Sequence, residues 1–327
     1  MKEFTIAKND AGQRLDRFAA KVAALLPATL MQKYIRIKRI KVNGKGSKRD
    51  YKLILGDTVQ MYVNDDFFSA AVRGGSNCFI ASTGNAVRLE LDILYEDENI
   101  LILNKKAGVL CYNSDNPDCP DLITTVKTYL RQKNEWLPHE EKWFAPAVCN
   151  RIDRNTSGIV ITAKNAEALR IINEKLKQRE IDKFYLAAVH GEPEPKSGIL
   201  TGYLLKDGAR NYVSVLKVSQ PGAKDAQTEY KTIAVRDKLA LLECRLITGR
   251  THQIRAQLAD FGHPILGDFK YGNSGLNKMY TESHQALCSY KLVFTFHTNA
   301  GILNYLDKKS FQITDIPFRS KYFSGEA

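Results

Sequence analysis

The stretch Asn150-Arg151-Ile152-Asp153-Arg154-Asn155-Thr156-Ser157-Gly158, running directly into Ile159-Val160-Ile161-Thr162-Ala163, decides how this chain is read. The second half is an apolar strand, and the polar residues before it form the turn that enters it. A carboxylate flanked by arginines in such a turn is an unusual place for a solvated charge. Nearby cations would keep Asp153 ionised, as a nucleophile or base requires. A structural Arg–Asp pairing within the loop is the competing reading, and this stretch alone leaves both open.

Further along, Thr248-Gly249-Arg250-Thr251-His252-Gln253-Ile254-Arg255 leaves a strand and opens a helix expected from about Thr251 to Phe261. Gly262 is its expected stop and Pro264 follows. Backbone donors at a helix start, with Arg250 and Arg255, suit a carboxylate or phosphate. Ile254, Leu258 and Phe261 share the buried face, which lets Arg255 reach inward from beside it. Between these motifs, Lys183-Phe184-Tyr185 sits in a strand whose alternation sends Phe184, Leu186 and Ala188 one way and Tyr185 the other. A lone strand tyrosine is ordinarily packing. Ala166, Leu169, Ile172 and Leu176 mark an amphipathic helix, and strands are expected at KFYLAAVHG, QTEYKTIAV and LALLECRLI. ILYEDENILILNK reads as strand, turn, strand. Its Glu96-Asp97-Glu98 run is turn chemistry rather than a metal site. Hairpin-rich order with intervening helices predicts an α+β domain on a mixed, largely antiparallel sheet.

The N-terminal part differs. Residues 1–64 hold 14 Lys and Arg against 5 Asp and Glu, a net +9 out of +12 for all 327 residues. A basic excess this localised is the footprint of a polyanion partner. Leu15, Phe18, Val22 and Leu25 fall on one helical face, and Pro27 is expected to end that helix. A second helix from about Thr29 carries Lys33, Arg36 and Lys38, with Arg39 at its end and Lys41 just beyond. Asn43-Gly44 and Gly56-Asp57 are turns between short strands. The expected organisation is a small domain over residues 1–65, a linker over 66–87, and a large domain over 88–327.

Composition narrows the classes further. No run approaches the roughly 20 apolar residues of a membrane helix, and MKEFTIAKND lacks a secretory apolar run, so a cytoplasmic protein is expected. The six cysteines form no CxxC pair and no zinc spacing.

Two resemblances follow from these motifs. GQRLDRF, MQKYIRIKRIKVNG and YKLILGDTV, over residues 12–63, resemble the ribosomal-protein S-four RNA-binding module. That implies a basic helix face meeting RNA phosphates, with Lys33, Arg36, Arg39 and Lys41 as contacts. LYEDENILILNKKAGV, NRIDRNTSGIVITAKN, KFYLAAVHG, DAQTEY and TGRTHQIRAQLADFGHPILGDFKYG occur in the order seen in the RluA-type pseudouridine synthases, over residues 90–298. With the basic module in front, the chain is most similar to the branch that modifies large-subunit ribosomal RNA.

The second resemblance implies Asp153 as catalytic aspartate and Arg255 as the arginine that pairs with it. It implies that Tyr185 stacks on the target base and takes part in proton removal, and that Arg151 fills the gap left by the extruded uridine. Arg154, Arg250 and His252, in the same motifs, are expected RNA contacts. The implied reaction breaks and remakes a base–ribose link and needs no cofactor and no metal. Structured RNA, most simply ribosomal RNA, is the expected partner, and a monomer suffices. A non-catalytic RNA-binding or ribosome-assembly protein on the same fold is the alternative. Two positions depart from the family pattern: Asn150 stands where histidine is usual, and Leu287-Cys288 where Leu-His is usual.

Overall fold

The structure, a computed structural model, describes residues 1–68, 90–112, 121–137, 144–272 and 274–324, with only the backbone of Ser274. The chain divides into two compact units: Met1–Arg88 with Lys127–Pro146 and Lys164–Glu167, and Leu89–Val126 with Ala147–Ala163 and Ala168–Ala327.

In the first unit, strands β1 (Lys2–Thr5), β2 (Ile40–Val42), β3 (Lys45–Gly46) and β4 (Thr58–Met61) form an antiparallel sheet in the order β1-β4-β2-β3. Helices α1 (Leu15–Val22) and α2 (Ala28–Arg36) pack their apolar stripes into one core with it, centred on Leu15, Phe18, Val22, Met31, Ile35 and Val59. The β2–β3 hairpin turns at Asn43-Gly44, both at positive φ (51° and 75°), as a two-residue hairpin of this hand requires. Two expectations need correction. α1 ends at Val22 rather than at Pro27. The face therefore passes from Leu25, 52 % exposed, to Leu26, which is buried. Pro27 instead stands at the entrance of α2, where a residue with fixed φ and no N–H costs nothing. α2 in turn stops at Arg36. Lys38 (φ 58°) donates its N–H to Ile35 O, and the Arg39 N–H reaches Tyr34 O at 2.8 Å, a Schellman stop. Lys38 and Arg39 thus terminate the helix rather than extend it. Phe67 and Phe68 pack on this core. Residues 69–87 of the stretch read as a linker lie outside the described residues.

The second unit is built on an eleven-stranded sheet. Its strands are β5 (Ile93–Glu96), β6 (Ile100–Lys105), β7 (Ala147–Val148), β8 (Ser157–Ala163), β9 (Ile181–His190), β10 (Ser197–Asp207), β11 (Tyr212–Leu216), β12 (Lys224–Arg236), β13 (Leu239–Leu246), β14 (Leu287–Phe294) and β15 (Ser310–Gln312). The main path runs β11-β10-β12-β13-β9-β14-β8-β6-β5, with β15 on β14 and β7 on β8. Every pairing is antiparallel except β14 with β8. The helices of this part of the chain are α3 (Leu122–Gln132), whose portion from Lys127 onward belongs to the first unit, α4 (Ala166–Lys177), whose Ala166 and Glu167 do so too, α5 (Gln253–Asp260), α6 (Ser274–Asn277) and α7 (Pro317–Tyr322). The Thr251–Phe261 helix is thus present as α5, and two further short helices follow it.

Strand β9 lies at the centre and is buried on both faces. Leu186 and Ala188 join Ile172 of α4 on one side. Tyr185, Ala187 and Val189 join Ile254 and Leu258 of α5 on the other. This explains a strand that is apolar at consecutive positions rather than alternating. The β8–β14 junction depends on Gly158. At φ 116°, a Cβ there would lie 2.3 Å from Ser289 O, so only glycine lets the two backbones approach.

Candidate active site

The turn carrying Asp153 is fixed from several sides before its carboxylate meets anything. Asn150 binds along β8 as another strand would: its Oδ1 accepts the Ile161 N–H at 2.7 Å and its Nδ2 donates to Ile159 O at 3.3 Å. The departure from the family's usual histidine therefore falls on a residue that anchors the turn. The Thr156 N–H closes on Asp153 O at 3.1 Å. Lys105, fully buried at the end of β6, donates to the carbonyls of Lys106, Val109 and Arg154 at 3.0, 2.8 and 3.0 Å. Burial lowers its pKa to about 8, against the smaller pull of Cys111 and Asp153.

Asp153 Oδ2 receives Arg255 Nη1 at 2.9 Å, and His252 Nε2 lies 3.9 Å from the same oxygen. The Asp153 side chain is 25 % exposed, and among the described residues no donor reaches its Oδ1. Arg255 is gripped in turn by Asp268: Nε to Oδ2 at 2.7 Å and Nη2 to Oδ1 at 3.0 Å. Asp268 is fully buried, and its Oδ1 also accepts the N–H groups of Lys270 and Tyr271. Burial alone would raise the Asp268 pKa, but Arg255 and these two N–H groups outweigh it and hold the carboxyl below its ordinary value. Burial would likewise lower the Arg255 pKa, and its bonds to Asp268 and Asp153 more than offset that. The result is a fixed cation with its third edge aimed at Asp153.

Tyr185 lines the same cleft, of about 1050 Å³, together with Asp153, His252 and Arg255. Its register on β9, between Cys244 of β13 and Ser289 of β14, sets it there. Burial raises the Tyr185 pKa well above the usual phenol range, with the nearby Ser289 hydroxyl working in the opposite direction. Such a phenol stays protonated, which makes it a poor base.

The structure thus brings Asp153, Tyr185, Arg255, Arg151 and His252 together in one cleft, which Arg154 and Arg250 also line. The exposed Arg154 side chain donates to Gly108 O at 3.0 Å. Arg250 is held by Asp225 through Nε to the carbonyl and Nη2 to Oδ1 at 2.7 Å. The cation beside Asp153 is Arg255, from a different element, and not a flanking arginine. Just before α5, the Arg250 N–H donates to Gln253 Oε1 at 3.0 Å. Asp268, Tyr271 and Lys105 were not singled out from sequence. All three lie inside the motif strings, and their roles depend on partners distant in the chain.

In the first unit, Lys33 and Arg36 line a groove of about 670 Å³ with Lys38, Lys48 and Arg49. Arg39 and Lys41 lie elsewhere, against the rings of Tyr34 and Tyr62. Asp97 Oδ1 accepts the N–H groups of Asn99 and Ile100, as turn chemistry requires. Among the described residues, no group of three His, Cys, Asp or Glu could hold a metal ion, and no helix is long and apolar enough to cross a membrane.

The sequence profile described as RNA pseudouridylate synthase matches residues 99–260. A ribosomal large subunit pseudouridine synthase C of Haemophilus ducreyi is 32 % identical over 291 residues, covering 86 % of this chain and 85 % of that protein. The chain belongs to the RNA pseudouridylate synthase family. The Escherichia coli protein of the same description is 30 % identical over 288 residues, 88 % of this chain and 85 % of that one. Among solved structures, human RNA pseudouridylate synthase domain containing 1 shares the fold. Its TM-score is 0.54 at 21 % identity, over 73 % of this chain and 88 % of that chain. As an RNA pseudouridylate synthase, the chain is an isomerase acting on RNA, and the pseudouridine synthase fold is the α+β architecture described above.

Proposed function

We propose that this pseudouridine synthase isomerises selected uridines of large-subunit ribosomal RNA, with Asp153 as nucleophile. The observation that carries the assignment is the Arg255 Nη1 contact to Asp153 Oδ2 at 2.9 Å inside a cleft lined by basic side chains. A uridine reaches such a carboxylate only by leaving its helix, at a cost of a few kcal/mol. Arg151, exposed at the cleft, is placed to occupy the vacancy. Tyr185 offers the extruded base an aromatic face, which contributes about 1–3 kcal/mol. Cleavage of the nitrogen–ribose bond develops positive charge on the sugar, and a carboxylate stabilises or traps it. Arg255 and His252 both gather on Oδ2, which leaves Oδ1 for that task. The detached base then turns and rejoins the ribose through carbon 5 as the carboxylate is released; the carbon 5 hydrogen leaves as a proton and N1 gains one, so the product is an isomer of uridine.

The N-terminal unit, read as an S-four-like module over about residues 1–65, supplies the groove of Lys33 and Arg36 for RNA phosphates, which position without specifying sequence. Residues 88–327 form the catalytic domain in this reading. Such an enzyme works in the cytoplasm, where ribosomal RNA is available, and a single copy holds every residue named.

Pseudouridine mapping tests the proposal: unmodified ribosomal RNA is treated with wild-type protein or Asp153→Asn, then labelled with carbodiimide and read by reverse transcription. Stops with wild type alone, with RNA binding within a few-fold for both, are the expected result. No stops on large-subunit RNA, with binding intact, would point to another RNA or to a non-catalytic RNA-binding protein.

A further inference from the structure

Two residues of the turn after α5 close on the catalytic arginine from different directions. Asp268 fixes Arg255 within the guanidinium plane. Tyr271 covers its face, with 5.1 Å between the guanidinium carbon and the ring centroid. The far side of the Tyr271 ring environment is set by Tyr212 of β11, stacked at 4.8 Å and 29°. The Tyr271 hydroxyl therefore has little freedom, and it makes two contacts. It accepts the Val213 N–H at 3.0 Å and stands 2.8 Å from His252 Nδ1.

These contacts assign a proton. The Val213 N–H can only donate, and among the described residues His252 Nδ1 is the one acceptor within reach of the hydroxyl hydrogen, which points that hydrogen at the imidazole. An imidazole whose Nδ1 accepts carries its own hydrogen on Nε2 when neutral. His252 Nε2 is the atom 3.9 Å from Asp153 Oδ2. Burial lowers the His252 pKa. Asp153 and Asp268 oppose this, while Arg255 and Lys270 add to it, and the net shift is downward, which favours the neutral ring. His252 itself sits at φ 52° just before α5, a left-handed conformation uncommon for a side chain of this size. That conformation lets one ring face both Tyr271 and Asp153.

We propose that Tyr271 is a positioning residue of the isomerisation: its hydroxyl holds His252 in the Nε2–H tautomer, so that a donor rather than a lone pair faces the Asp153 carboxylate. The inference rests on Asp153 as the reacting carboxylate. The separation exceeds a hydrogen bond, so the interaction is that of an aimed bond dipole with a charge. In the other tautomer the Nε2 lone pair would point at the carboxylate and push it away from Arg255.

Tyr271→Phe keeps the ring against Arg255 and Tyr212 and removes only the hydroxyl. The enzyme is labelled with nitrogen-15 histidine, and long-range proton–nitrogen spectra are recorded at neutral pH, with His252 assigned by its loss in His252→Gln. Wild type should show His252 protonated on Nε2 alone, and Tyr271→Phe should show a mixture of tautomers. The same substitution should lower kcat on unmodified large-subunit RNA about five- to tenfold, the worth of one buried hydrogen bond, with KM unchanged. A wild-type His252 protonated on Nδ1 overturns the proposal, as does a Tyr271→Phe protein with unaltered tautomer and kcat. Should Tyr271→Phe fail to fold, the wild-type spectrum alone decides. That spectrum needs no substrate, so it stands apart from the identity of the RNA. Full activity of Asp153→Asn would instead overturn the nucleophile assignment.

Discussion

At the scale of single residues, the site is a chain of charges in which each member fixes the next. Asp268 is fully buried and makes a two-point contact with Arg255. Removing one partner of such a pair leaves an uncompensated charge, so Asp268→Asn should cost about 3–5 kcal/mol. The sign of its pH dependence follows from the depressed pKa. The stabilisation by Asp268 is fully present above its ordinary value of 3.8 and is lost as pH falls through the lower folded value. Thermal melts of wild type and Asp268→Asn should therefore stay apart by a constant amount from pH 5 to pH 8 and converge below about pH 4. A gap that persists in acid would show that the pair is not what Asp268 contributes. Sequence reading finds Asp153, Tyr185 and Arg255 because each stands inside a distinctive string. It does not show what holds Arg154 and Arg250, because a string shows a charge and not its acceptor. Gly108 O and Asp225, which engage those two guanidinium groups, lie in other strings.

At the scale of elements, the strands were the more legible part. The run QTEYKTIAV lies inside β12, and KFYLAAVHG and LALLECRLI overrun β9 and β13 only by their last residue, because these runs are bounded by clear turns. The helix ends in the first unit were harder. The Leu25-Leu26 pair admits either phase, and the Schellman stop at Lys38 is made by a residue whose type does not announce it. The parallel β8–β14 junction was not visible at all, since nothing local records which distant strand lies beside Gly158. Its requirement is sharp. Gly158→Ala places a Cβ against Ser289 O in a backbone conformation that L-residues avoid, and should destabilise by roughly 2–6 kcal/mol. Urea unfolding measures this directly, and a midpoint equal to wild type would mean that the two strands part readily.

At the scale of the whole molecule, the basic groove and the carboxylate fall in different units. The first concentrates net positive charge and a groove lined by Lys33 and Arg36, and the second holds the carboxylate. In this reading the double substitution Lys33→Glu with Arg36→Glu weakens RNA binding and reduces the slope of log affinity against log salt by about 1.4–1.8, as loss of two phosphate contacts requires. Filter binding over a salt series reads this. An unchanged slope would remove the groove from the RNA footprint, while kcat at saturating RNA should hold in either case.

The β8–β14 pairing has one more consequence, for the order in which the protein can be made. Ser157 and Gly158 lie beside Cys288 and Ser289, so the strand that follows Asp153 gains that neighbour only after more than a hundred further residues have been synthesised. Arg255 and Asp268 also emerge long after Asp153. Contacts this distant along the chain make for slow folding, and they leave the emerging polypeptide without a working centre until its last third has left the ribosome. With Asp153 as the proposed nucleophile, a growing chain of this enzyme should therefore be inactive on the RNA of the particle that is building it.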